Sequence, residues 1–239
     1  EPRTLSRLKA AVAENMLLNV EPQRLRDELV LLCRERKPFK AIKRLQVLAG
    51  LAFIHPRLSL SAQSQHLFAQ VERQVSWCGS RLRHHRQVDV RLAYLLALLG
   101  GLAAPDVRQV CERFALHAKD RKCLLAYAAS GRRVIETLKK KGRKPSEVYH
   151  VLDPLSLEVV LVLKAAAREK AVQRYIELFL TQYGGTRLAI GGEVLSGLGL
   201  PPGPQYQHVL RKVLDAKLNR QVATRQEELS LVRELMRRL

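Results

Sequence analysis

The sequence predicts an all-α protein on three observations. Apolar residues recur at helical spacing along the chain, and no segment shows the apolar–polar alternation of a half-buried strand. Leucine and alanine dominate while aromatic residues make up only 5%, a balance that favours helix. Proline and glycine punctuate the periodic stretches, where helices start and stop. The 239 residues suit one large domain or two to three small ones, and an apolar fraction of 47% is ample for a core.

In order, Thr4 opens a first helix to about Met16. Pro22 stands at the first position of a second, whose Leu25, Leu29, Leu32 and Cys33 form one buried face. Pro38 begins a third, with Phe39, Ile42, Leu45 and Leu48 inward and Gly50 as its stop. Residues 51–60 connect, because Pro56 forbids a continuous helix. Ser61 caps a longer helix carrying Leu67, Phe68, Val71, Val75 and Trp77, and a basic turn follows from Gly79 to Arg86. Helices are expected at about 88–99, 106–115, 118–129 and 132–141, punctuated by Pro105, Gly131 and Gly142, then at 146–152 and 156–182. The short loops predict that successive helices pack as neighbouring hairpins.

The last segment is the most specific. It reads Ile190-Gly-Gly-Glu-Val-Leu-Ser-Gly-Leu-Gly-Leu-Pro-Pro-Gly-Pro204, then a basic helical pattern over 205–220, then Thr224-Arg-Gln-Glu227. Gly199 can supply the positive φ that ends one short helix, and Pro204 fits the first position of the next. Thr224 and Glu227 fit a capping box, each satisfying an otherwise unpaired backbone N–H. The order and spacing of this string resemble the C-terminal signature of bacterial class II tRNA nucleotidyltransferases (CCA-adding or A-adding enzymes) and poly(A) polymerases.

The N-terminal part resembles the neck of the same family, through Leu8-Lys-Ala-Ala-Val12, Asn15 and Gln23-Arg24-Leu-Arg-Asp-Glu28-Leu, followed by Lys37-Pro-Phe-Lys-Ala-Ile-Lys-Arg-Leu and Ile54-His-Pro56. The resemblance implies an elongated multi-helix array without the catalytic palm head. Neck helices would occupy 1–50, a helical body 51–185, and a tail that binds the tRNA corner 186–239. It also implies that Arg24 and Glu28, four apart on one helical face, brace the neck. The family uses Mg with ATP or CTP at an Asp-x-Asp pair in the head, since two metals must clamp the attacking and leaving oxygens. No Asp-x-Asp occurs here, nor the family's Glu-Asp-x-x-Arg base-selecting element. The expectation is a fragment whose head precedes Glu1, inactive alone, with no catalytic residue, metal or cofactor of its own.

Charge points to the same partner. Lys and Arg number 42 against 22 Asp and Glu, a net charge of +20, as suits an anionic polymer. Basic residues cluster at Arg34, Arg36, Lys37, Lys40, Lys43 and Arg44; at Arg81, Arg83 and Arg86; at Lys139, Lys140, Lys141, Arg143 and Lys144; and at Arg211, Lys212, Lys217 and Arg220. The candidate RNA contacts are Arg83, Arg86, Lys139, Lys140, Arg143, Gly203, Arg211, Lys212, Lys217 and Arg220. Gly203 precedes a helix start that offers free N–H groups to a phosphate. Trp77 and Tyr206 are candidates for base stacking, Trp77 fitting a core better. A solvated basic face remains the plain alternative for each cluster. His84, His85 and Asp89 lack the partners of a His-Asp metal site, and the four scattered cysteines suit reduced cytoplasmic thiols better than zinc. No apolar run is long enough to cross a bilayer. A basic helical module that meets an acidic protein is the alternative to RNA, and a membrane-surface bundle is weaker for want of an aromatic apolar face.

Overall fold

The computed structural model describes residues 6, 7, 10, 12, 14, 16–81, 87–201 and 203–238. Among them are twelve α-helices and no β-strand, in agreement with the all-α expectation. The helix expected over 4–16 lies largely outside the described residues, which give a 3₁₀ turn at Met16–Asn19.

Helix starts follow local chemistry. α1 (Pro22–Leu32) and α2 (Pro38–Ala49) begin on proline, whose missing N–H costs no bond there. Gly50, at φ +68°, stops α2 in the left-handed region that glycine tolerates. α3 (Ala62–Arg81) starts behind Ser61, whose Oγ accepts the Ser64 N–H at 3.2 Å. Asp89 caps α4 (Val90–Leu99) by accepting the Leu92 N–H at 3.1 Å. α5 (Ala104–Arg113), α6 (Ala118–Lys139) and α7 (Pro145–Leu152) follow. Ser156 caps α8 (Leu157–Ala166), and α9 (Lys170–Thr181) and α10 (Gly192–Gly197) lead to α11 (Pro204–Leu218) and α12 (Arg225–Met236).

Three expectations are corrected. α3 continues through Gly79 and Ser80 to Arg81, where the turn is expected. The helices expected on either side of Gly131 are the single helix α6. A Cβ at Gly131 would lie 3.4 Å from Leu163 Cδ2 and from the Tyr127 ring, and the roughly 1 kcal/mol that one glycine costs a helix is too little to end it. The helix expected over 156–182 is broken at Ala167, which is extended at φ −68° and ψ 127°. Its carbonyl accepts the Gln173 side-chain N–H at 2.8 Å, and no proline or glycine marks the site.

The helices form two compact units, one of residues 1–137 with 155–173, the other of 138–154 with 174–239. In the first, α3, α4 and α8 pack on one another, so a long-range contact joins helices that the hairpin expectation kept apart. α4 and α8 are apolar on nearly every side and buried from 92 to 99 and from 158 to 165, as a helix without a polar face must be. The two nitrogens of the Arg91 guanidinium fork meet Asp120 at 2.6 and 3.1 Å, and Nη2 also meets Asp89 at 2.7 Å. Burial pushes the Asp89 carboxyl up, but Arg91 and the Leu92 N–H outweigh it and hold it below the usual range. Trp77 is half-buried, with the Lys164 ammonium 3.5 Å from its ring centroid. All four cysteines are free and buried, and burial raises the Cys33 thiol to about 12. No helix among the described residues is long and apolar enough to cross a membrane.

Candidate functional site

The second unit is assembled from its tail string. α10 is closed by the turn at Gly199, φ +87°, where the Leu200 N–H reaches back to the Leu195 carbonyl at 3.0 Å. The Tyr206 hydroxyl donates to the Leu200 carbonyl at 2.8 Å, tying α11 to this turn. Its ring rests on Gly192, where a Cβ would sit 3.4 Å away, so Tyr206 has a structural contact besides any stacking role. Ile190, Leu195, Leu200, Val209, Val213 and Val232 form the core beneath.

Glu228 of α12 sits at the centre with no exposed surface. Its carboxylate accepts the Ala189 N–H at 2.9 Å and the Lys217 ammonium at 2.6 Å, joining α11, α12 and the strand of chain before α10. A buried carboxylate demands such partners. Asn219, just past α11, accepts the Ser146 N–H at 3.1 Å and donates to the Ser146 hydroxyl at 3.0 Å. It therefore satisfies the first turn of α7 from another helix. His150 of α7 also pairs with Asp215 of α11. The Glu147 carboxyl is held below its usual value by the Lys144 N–H and then by Arg143.

The candidate cations divide on this frame. Arg211 and Lys212 are exposed on α11, and Lys139 and Lys140 are exposed at the end of α6. Gly203 is exposed and extended at the start of α11, where no side chain caps the helix. Arg220 is exposed at φ +60°, immediately after Asn219, so the Ser146–Asn219 bonds bring it beside the turn that holds Arg143 and Lys144. Arg143 is half-buried: its N–H meets the Tyr175 hydroxyl at 3.3 Å and its guanidinium lies 3.5 Å from Glu147. Lys217 is spent on Glu228. Arg83 and Arg86 lie outside the described residues, as do His84 and His85. Arg24 and Glu28 belong to α1 in the first unit, both exposed, with no ion pair between them among the described residues. Sequence reasoning missed Glu228, Asn219 and the His150–Asp215 pair, since nothing local links residues so far apart. The acidic Glu228 between apolar Val222 and Val232 was the one available hint.

No family model matches the chain. A curated relative, the A-adding tRNA nucleotidyltransferase of Geobacter sulfurreducens, is 34% identical over 229 residues, covering 94% of this chain. The chain is therefore similar to one part of that enzyme. It spans 26% of that relative's length. The Thermotoga maritima CCA-adding enzyme complexed with tRNA shares its fold at a TM-score of 0.76 and 23% identity, over 95% of this chain and 55% of that one. A CCA-adding enzyme in complex with CTP gives 0.78 and 24%, over 99% and 56%. These similar proteins are of the kind that the tail string and the neck residues resemble, and the all-α fold is shared over nearly the whole chain.

Proposed function

We propose that this chain binds and positions RNA, most specifically tRNA, for a nucleotidyltransferase that adds CCA, A or poly(A) to RNA 3′ ends. The match to the A-adding enzyme over 94% of the chain is the observation that carries the reading. The exposed cations of the second unit, Lys139, Lys140, Arg211, Lys212 and Arg220, support it chemically. Lys and Arg would take phosphates, because the deep groove of duplex RNA excludes side chains and leaves shape and backbone to be read. Catalysis, with Mg and ATP or CTP, would belong to an N-terminal head outside residues 1–239. Holding the substrate in a productive orientation lowers a barrier without any reacting group. Arg24 and Glu28, exposed on α1, would meet that head as neck-bracing residues.

The test is binding of the purified chain to folded tRNA and to an unstructured RNA of equal length, across salt. A preference for folded tRNA, with a log–log salt slope on the order of −4 to −5 for about six phosphate contacts, is the expected result. A shallow slope with no preference would favour the protein-interaction module instead. The same chain, given tRNA, Mg and ATP or CTP, should add no nucleotide.

A further inference from the structure

α2 carries a second positive surface, in the first unit, which the tail cations do not account for. Lys40, Lys43 and Arg44 lie within an arc of about 100° around its axis, Lys43 and Arg44 rising about 4.5 and 6 Å beyond Lys40. Lys37, immediately before the helix, and Arg36 extend the patch, and all five are exposed. None is held in an ion pair among the described residues. α2 itself contains no acidic residue, and Glu35 is the lone carboxylate lining the open concavity of about 580 Å³ formed with Arg36, Lys37, Lys40, Ala41 and Arg44.

This arrangement is electrostatically unfavourable for the chain by itself. Lys40 with Lys43 and Lys40 with Arg44 are like-charged pairs three and four apart on α2, which repel. Lys40 also stands in the first turn, where the helix dipole disfavours a cation. A polyanion laid along the face would reverse both penalties. A protein partner fits less well: interface cores are enriched in aromatics and depleted of lysine. This face presents mostly lysine, and its one strongly exposed large apolar residue, Val47, sits a turn beyond Lys43.

We propose that the α2 face is a second RNA contact, taking phosphates of one backbone strand through Arg36, Lys37, Lys40, Lys43 and Arg44. The choice of RNA as the polyanion rests on the reading given under Proposed function. The contact reads no bases, so it adds affinity equally for every sequence, separately from the tail cations.

The full chain is titrated with folded tRNA across salt as wild type, as K37Q/K40Q/K43Q/R44Q, and as R211Q/K212Q. The α2 variant is expected to bind roughly tenfold or more weakly near 0.15 M salt, with a log–log slope shallower by about 3 to 4. Its melting temperature should equal or exceed the wild type's, because repulsion has been removed, which separates lost contact from lost folding. Wild-type affinity and slope in the α2 variant, with loss in the tail variant, would overturn this inference and leave the RNA reading standing. A wild-type chain that ignores tRNA at all salts would overturn both. Polyglutamate that binds wild type but not the α2 variant, while tRNA binds both with the same affinity and slope, would assign the face to an acidic protein and overturn the inference.

Discussion

At the scale of single residues, the most consequential reassignment is Lys217. As a basic residue in a basic helix it belongs among the candidate RNA contacts, yet its ammonium neutralises a carboxylate with no exposed surface. Removing one partner of such a pair strands the other, and the two partners are not equally sheltered. Lys217 keeps 22% of its side-chain surface and can turn to water, whereas Glu228 cannot. Lys217→Met should therefore cost about 3 kcal/mol, and Glu228→Gln about 1–2 kcal/mol because one hydrogen-bond donor loses its acceptor. Denaturant unfolding of the two variants measures the difference, and equal losses would contradict the buried-charge account. Any weakening of RNA binding in Lys217→Met would then reflect folding, so Arg211 and Lys212 are the cleaner probes of contact.

At the scale of elements, helix ends decide the architecture more than helix middles. The capping box of α12 is legible in Thr224 and Glu227 and is found as expected, with Oγ1 of Thr224 accepting the Glu227 N–H at 3.3 Å. The Glu227 carboxylate accepts the N–H groups of Ala223 at 2.6 Å and Thr224 at 3.1 Å, and these bonds hold its carboxyl below the usual 4.5. A depressed folded value means stability that is fully present above 4.5 and lost as pH falls through the folded value. Glu227→Gln should thus melt below the wild type at neutral pH, with the gap closing as pH drops below 4.5. A gap that stays constant down that range would show that the charge has no part in the cap. The start of α7, by contrast, depends on Asn219 from α11, and no window of sequence around Pro145 contains that information.

At the scale of the whole molecule, the first unit covers its apolar surface unevenly. α4 and α8 are buried almost end to end, while Met16, Leu31 and Val47 in the first fifty residues are 50%, 51% and 77% exposed. Amide exchange should accordingly be fast along α1 and α2 and slow along α4 and α8, since opening needs little where few apolar contacts are lost. Full protection of α1 and α2 in the isolated chain, read by mass spectrometry, would contradict this difference in packing. The exposed α2 cations and Val47 share that helix, so the same measurement with tRNA added reports on the contact proposed there.

The all-α class, the starts at Pro22, Pro38, Pro204 and Thr224, the stops at Gly50 and Gly199, and the family signature were all determined by the sequence alone. Each depends on a property a residue carries with it: a fixed or positive φ, a missing N–H, a short oxygen-bearing side chain, or an order of such residues. Tertiary structure alone decided that α6 runs through Gly131, that the chain breaks at Ala167, that residues 138–154 join the tail, and that Lys217 belongs to Glu228. In the last two the deciding partner lies on another element, Asn219 against Ser146 and Glu228 against Lys217. Burial and pairing depend on which surfaces meet, and that is settled only once the helices pack.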